Sequence, residues 1–177
     1  GMYIAILGPT NAGKSSLINR IAKRDVAIVS QIAGTTRDVI EVHLNIKGYP
    51  VIVADTAGLR ESTDVLENEG IKRSLERAQT ADLKIMVLDA SVDNSKNDKL
   101  LELIDERTIL AFNKIDKNGS PLLLQGLAMT EPRLVPLYLS AKDNIGIDSL
   151  MSEIEKFAAN FFGAAHLNPL ITRQRYR

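Results

Sequence analysis

Tyr3-Ile4-Ala5-Ile6-Leu7 is a short apolar run without helical spacing, ended by Gly8-Pro9. It predicts a strand buried on both faces. Leu17, Ile18 and Ile21 then recur at the spacing of an amphipathic helix that begins near Gly13. Residues 24–37 show little periodicity and read as a loop. Ile40, Val42, Leu44 and Ile46 alternate strictly with Glu41, His43 and Asn45, which predicts a half-buried strand with a polar face. Gly48-Tyr49-Pro50 turns the chain, and Val51-Ile52-Val53-Ala54 returns as its antiparallel partner.

A polar stretch from Asp55 to about Asn68 leads into a helix marked by Ile71, Leu75 and Ala78. Leu83–Leu88 and Ile109–Phe112 read as buried strands, with a helix through Leu100, Leu101, Leu103 and Ile104 between them. Leu134–Leu139 reads as the last strand, and Pro136 within it favours an edge or irregular position. Ile147, Leu150, Met151, Ile154, Phe157 and Phe161 recur at three and four, giving a long terminal helix. Strands alternating with helices predict an α/β fold. The expected sheet is mostly parallel and six-stranded, with one antiparallel edge and helices on both faces. Lys117–Pro132 is irregular, and its Leu122-Leu123-Leu124 reads as packing.

Composition narrows the class. The 177 residues are 45% apolar and 25% charged, the mix of a globular chain. Twenty-two basic residues balance twenty-two acidic ones, so a domain built to grip a nucleic-acid backbone is disfavoured. The absence of cysteine removes disulfides, thiolate catalysis and cysteine metal sites, and two histidines are too few for a histidine-rich one. No apolar run approaches the ~20 residues that span a bilayer, and Tyr3–Leu7 is too short for a signal peptide. The expectation is a single soluble domain in the cytoplasm, without a membrane partner.

Gly8-Pro9-Thr10-Asn11-Ala12-Gly13-Lys14-Ser15 matches G-x-x-x-x-G-K-[ST], after a predicted strand and before a predicted helix. Glycines allow successive backbone N–H groups to face an anion, and the following helix adds its positive end. Asn11, Ala12, Gly13, Lys14, Ser15 and Ser16 are therefore candidate phosphate-binding residues. Lys14 reaches the β- and γ-phosphates, and the Ser15 hydroxyl is a candidate magnesium ligand. These features predict a nucleoside-triphosphate site on a P-loop NTPase fold of the Ras-like G-domain kind.

Asn113-Lys114-Ile115-Asp116 and Ser140-Ala141-Lys142 each follow a predicted strand, at the edge where open α/β sheets bind ligands. A carboxylate at Asp116 accepts from the ring N–H and exocyclic amine of guanine. Adenine lacks that amine and presents an acceptor instead, so GTP is expected over ATP. Asn113, Lys114 and the Ser140-Ala141-Lys142 backbone would brace the base. Asp55 and Gly58, in Asp55-Thr56-Ala57-Gly58, are candidates for holding magnesium and for offering an N–H to the γ-phosphate. Thr36 is the second candidate hydroxyl on magnesium, or an exposed threonine of a flexible segment. Leu59 follows Gly58 where Ras-type GTPases carry a water-orienting glutamine, so hydrolysis needs another group or a partner.

With these residues in place the chain resembles the G domain of the MnmE (TrmE) family of bacterial tRNA-modification GTPases. The resemblance rests on the P-loop through Leu17, on Ile32-Ala33-Gly34-Thr35-Thr36-Arg37-Asp38-Val39, on Asp55-Thr56-Ala57-Gly58-Leu59-Arg60-Glu61, and on Glu67 with Gly70-Ile71, and it covers nearly the whole chain. Der and Era GTPases share the P-loop and the N-K-x-D motif, so those two motifs fix only the superfamily. The resemblance implies a potassium ion held by Asn11, the Ser30 and Ile32 carbonyls and the Thr35 hydroxyl; the alternative for Asn11 is a side chain that braces the turn. It implies that Glu67 positions the hydrolytic water, although Glu61, Asp64, Glu67 and Glu69 alone read as a solvated acidic face. It also implies Lys14 and Gly58 as partners in catalysis, dependence on magnesium and potassium, and a transient homodimer through G domains in the triphosphate state.

Members of that family enclose this domain between a folate-binding domain and a helical domain. Residues 1–165 are expected to be the G domain. Residues 166–177, with Arg173, Arg175 and Arg177, are expected to begin the helical domain, and Gly1 ahead of Met2 reads as a leftover of cloning. tRNA would then be reached only through the remaining domains of the parent protein. Two alternatives stand beside the GTPase reading: a GTP/GDP-binding switch with negligible turnover alone, and a Der- or Era-type ribosome-assembly GTPase.

Overall fold

Met2–Leu7 forms β1, and its alternate side chains serve two separate cores: Met2, Ile4 and Ile6 enter one, Ala5 and Leu7 the other. The same division holds in β5 (Leu83–Asp89) and β6 (Thr108–Asn113), where Ile85 and Ile109 face one side and Met86 and Leu110 the other. That is why these runs carry no polar alternation: each strand is covered twice. The computed structural model describes residues 1–24, 28–32, 39–53, 67–117 and 134–167.

The sheet has the order β2-β3-β4-β1-β5-β6-β7. β4 (Tyr49–Val53), β1, β5, β6 and β7 (Leu137–Tyr138) run parallel, while β3 (Val39–Ile46) pairs antiparallel with β4 and with β2 (Ile28–Ile32). The mostly parallel α/β sheet with an antiparallel edge is therefore as expected, with one addition. β2 occupies residues read as loop, and it pairs along one side only, with Ser30 opposite Glu41 and Ile32 opposite Val39. Ile28-Val29-Ser30-Gln31-Ile32 has no strict alternation of apolar and polar residues, so period alone does not mark it as a strand.

One core lies under α1 (Lys14–Arg24) and the terminal helix, here α4 (Ile147–Leu167). Leu17, Ile18 and Ile21 of α1 and Ile147, Leu150, Met151, Ile154 and Ala158 of α4 fill it with Val42, Leu44 and Ile46 of β3. Each such aliphatic side chain contributes about 1.5–3 kcal/mol on burial. The other core lies under α2 (Glu67–Thr80) and α3 (Asp98–Leu101), through Ala78 and Leu100.

Four local expectations are corrected. Leu75, placed on the apolar face of α2, is 41% exposed. The helix expected through Ile104 stops at Leu101, and Leu103 and Ile104 pack on the second core from a turn closed by Leu103 N–H to the Leu100 carbonyl. The turn before β4 is Lys47-Gly48, both at positive φ, with the Asn45 side chain accepting from Gly48 N–H at 2.7 Å. Two left-handed residues match the twist of the flanking strands. The strand expected over Leu134–Leu139 contracts to Leu137–Tyr138 at the sheet edge, immediately after Pro136.

Lys84 is a buried cation on β5, satisfied by the Leu103 carbonyl at 2.6 Å and Asp105 at 2.7 Å. The Asp105 carboxylate also accepts from Arg107 N–H and the Thr108 hydroxyl, closing the turn into β6. The expected tail from residue 166 begins in the last residues of α4, and residues 168–177 lie outside the described ones.

Candidate functional site

Because β1, β5, β6 and β7 are parallel, the chain leaves all of them at the same edge, and three polar segments meet there among the described residues. The first is Gly8–Gly13. Gly8 has φ 149°, and a Cβ at that position would collide with the Val87 carbonyl of β5. Gly13 has φ 92°, and a Cβ there would run into the Asn113 side-chain amide. Asn11, at φ 66°, supplies a further left-handed residue that asparagine tolerates. Ala12 N–H bonds the Pro9 carbonyl at 3.3 Å, and Leu17 N–H bonds the Gly13 carbonyl at 3.0 Å as α1 begins. The loop thus curls tightly and delivers the positive end of α1 to its mouth.

Lys14 is buried, and its ammonium donates to the Gly8 and Pro9 carbonyls at 2.9 and 2.8 Å. It therefore crosses the mouth of the loop, where anionic phosphate oxygens are stronger acceptors than carbonyls. Ser15 and Ser16 occupy the first turn of α1 beside it.

The second segment follows β6. Asn113 is 2% exposed, and its side chain links two loops distant in sequence: Nδ2 donates to the Ala12 carbonyl at 2.9 Å, and Oδ1 accepts from Ala141 N–H at 3.0 Å. Lys114, at φ 67°, donates to the Asn11 carbonyl and faces Asp89 at 3.3 Å. Asp89 closes β5 and accepts from the Ser91 amide and hydroxyl at 2.8 and 2.5 Å. Burial pushes its carboxyl up, but the Ser91 bonds and the Lys114 charge outweigh that and hold it below the usual value. Asp89 and Ser91 went unnoticed in the sequence; the only signal was a carboxylate ending a buried strand.

Asp116 is exposed at the end of the same segment, and its Oδ1 accepts from the Ser140 hydroxyl at 2.8 Å. That bond holds its carboxyl below the ordinary aspartate value, against a small opposing effect of burial. Asp116 therefore stays an acceptor across the neutral range, as a reader of ring N–H and amine must.

The third segment is Ser140–Gly146. Ser140 and Ala141 are buried, Ser140 bridges to Ile145, and the Ser140 hydroxyl accepts from Asp143 N–H at 3.1 Å. Arg20 of α1 donates to the Ala141 and Lys142 carbonyls at 2.6 and 2.7 Å. The sequence offers no signal for Arg20 beyond a polar position on a helix.

The structure thus brings together Asn11, Ala12, Gly13, Lys14, Asn113, Lys114, Asp116, Ser140 and Ala141, with Lys142 beside them. β4 runs parallel to β1 and ends at Val53. Asp55 and Gly58, and likewise Thr35 and Thr36, lie outside the described residues. Ser30 and Ile32 are placed on β2 by their backbone alone, and Glu67 is the first residue of α2.

Comparison with known proteins agrees with this arrangement. The family model described as 50S ribosome-binding GTPase matches residues 3–114. The tRNA modification GTPase MnmE of Rickettsia canadensis (strain McKiel) is 49% identical over 179 aligned positions, covering 100% of this chain and 39% of that protein. The protein of the same description from Rickettsia rickettsii (strain Sheila Smith) is also 49% identical with the same coverage. The chain therefore spans about two fifths of the length of these curated relatives. Among solved structures, the G domain of the T. maritima FeoB iron transporter superposes with a TM-score of 0.63 at 24% identity, over 89% of this chain and 98% of that one. At that identity the likeness speaks for the fold. No helix among the described residues is long and apolar enough to cross a membrane.

Proposed function

The chain belongs to the family of 50S ribosome-binding GTPases, and from that premise we propose that it is the GTP-hydrolysing G domain of an MnmE-like tRNA-modification GTPase. The observation that carries this reading is the Asn113 side chain, which fastens the phosphate loop at Ala12 to the base-facing loop at Ala141. A nucleotide spanning both would place its phosphates against Lys14 and its base against Asp116. The 49% identity to an MnmE protein along the whole of this chain supports the assignment to that kind of GTPase. Contact with tRNA, in this reading, belongs to the remaining domains of a parent protein in the cytoplasm.

Lys14 and the N–H groups of residues 11–16 neutralise charge on the β- and γ-phosphates. Ser15, Thr36 and Asp55 are oxygen donors that would hold Mg²⁺, which would supply positive charge against the phosphates. Asn11, the Ser30 and Ile32 carbonyls and the Thr35 hydroxyl form an all-oxygen set suited to K⁺. Asn11 is exposed at the outer turn of the loop, and its backbone is fixed there by Lys114. Gly58 donates its N–H to the γ-phosphate and Glu67 orients the attacking water, the task Leu59 cannot perform. In this scheme the triphosphate form pairs transiently with a second copy through the G domains.

Leu59 also favours a second reading, a GTP/GDP switch with negligible turnover alone. Single-turnover GTP hydrolysis in potassium and in sodium, on the wild type and Glu67→Ala, separates them. The proposal expects potassium to accelerate hydrolysis at least about tenfold, and the variant to lose at least that factor. Equal rates in both salts, unchanged by Glu67→Ala, would overturn it. Tight GTP binding with no hydrolysis in either salt would establish the switch.

A further inference from the structure

Arg20 lies on α1, the helix that begins at the phosphate loop, yet both of its bonds go to the loop that faces the base. Its Nε and Nη2 take the neighbouring carbonyls of Ala141 and Lys142, a two-pronged contact that suits a planar guanidinium and not an ammonium.

The Lys142 carbonyl shares its peptide unit with Asp143 N–H. That N–H donates to the Ser140 hydroxyl at 3.1 Å, and the hydroxyl donates to Asp116 Oδ1 at 2.8 Å. A chain of hydrogen bonds therefore runs from Arg20 through the 142–143 peptide and Ser140 to the Asp116 carboxylate. A cation at one end polarises each link in the same direction, strengthening the donors that follow. Ala141 is held from both sides as well, its N–H by Asn113 and its carbonyl by Arg20.

We propose that Arg20 is a positioning residue for guanine selectivity, aiming the Asp116 carboxylate through Lys142, Asp143 and Ser140 from the helix that carries the phosphate loop. The inference rests on the reading of Asp116 as the group that accepts from the guanine ring N–H and amine. It makes selectivity for the base depend on a residue that touches neither base nor phosphate.

The test compares affinities for GDP and IDP, since hypoxanthine keeps the ring N–H and 6-oxo group and lacks only the amine. Wild type, Arg20→Ala, Arg20→Lys and Ser140→Ala are titrated, with thermal unfolding recorded for each. Arg20→Ala is expected to lower the GDP-over-IDP preference about fivefold, and Ser140→Ala by a similar factor. Arg20→Lys, which keeps the charge and reaches one carbonyl, should fall between Arg20→Ala and wild type. A general loosening of the loop would weaken GDP and IDP equally; an unchanged ratio in Arg20→Ala and Arg20→Lys overturns the proposal. Failure of the underlying reading has its own signature, a GDP-over-IDP ratio that Asp116→Ala leaves unaltered.

Discussion

Asn113 Nδ2 donates to the Ala12 carbonyl at 2.9 Å across 101 positions of sequence, from the end of one buried strand to the loop after another. With Oδ1 accepting from Ala141 N–H, the side chain is a clamp between the two loops.

Asn113→Ala leaves the Ala12 carbonyl and the Ala141 N–H without that partner in a buried setting. Each such group costs about 1–3 kcal/mol. Urea denaturation should show a loss of about 3 kcal/mol, and GDP affinity should fall with it. A variant as stable as wild type would show that the clamp is unimportant.

Gly8→Ala tests the closest approach in the site. The new Cβ meets the Val87 carbonyl, a backbone atom that cannot swing aside, and the residue must hold φ 149°. The expected destabilisation is about 3 kcal/mol or more, read from the denaturation midpoint. A midpoint near that of wild type would mean the strand–loop junction adjusts freely.

Asp116→Asn should exchange the base. The amide replaces one acceptor by a donor, which matches the 2-oxo group of xanthine and opposes the guanine amine. Competition binding is expected to show GDP weakened by about a hundredfold and XDP gained. Retained preference for GDP would remove Asp116 from the recognition of the base.

Asp105 gives a pH signature independent of nucleotide. Burial pushes its carboxyl up, but the Lys84 bond, the Arg107 amide and the Lys84 charge outweigh that and hold it below 3.8. A carboxylate depressed in the folded state contributes stability above its unfolded pKa and loses it as pH falls through the folded value. Asp105→Asn should therefore cost about 2 kcal/mol at pH 7, a buried-pair cost discounted for partial exposure. The gap to wild type should stay constant to about pH 5 and close as acid passes the folded pKa. A gap that persists unchanged after that carboxylate is protonated would contradict the assignment.

Most of the site was legible because its residues sit where the chain leaves a buried strand. Ile4–Leu7, Ile85–Leu88 and Ile109–Phe112 mark those strands by apolar runs, and the segments at their ends carry glycines, Lys14, Asn113 and Asp116. β2 was not legible, because Ile28-Val29-Ser30-Gln31-Ile32 places two apolar residues beside two polar ones and shows no period of two. Leu75 misled because apolar periodicity marks the buried face of a helix without saying which turns of it the neighbours reach. Arg20 and Asp89 stayed hidden for a different reason. Their partners lie 121 positions away, at Ala141, and across a strand pairing, at Lys114, and single-residue patterns carry no such distance.

The parallel order β4-β1-β5-β6 has a kinetic consequence. Parallel neighbours cannot be joined by tight turns, so β1 at Met2–Leu7 must wait for Leu83–Asp89, and those for Thr108–Asn113. Contacts so distant along the chain close late in folding. The phosphate loop at residues 8–15 meets the base-facing loop only when Asn113 and Ala141 arrive to clamp it, so a site spanning both loops waits for these long-range contacts. Competence to bind the base and completion of the fold are then a single event, and bound nucleotide adds its stabilisation to the finished domain alone.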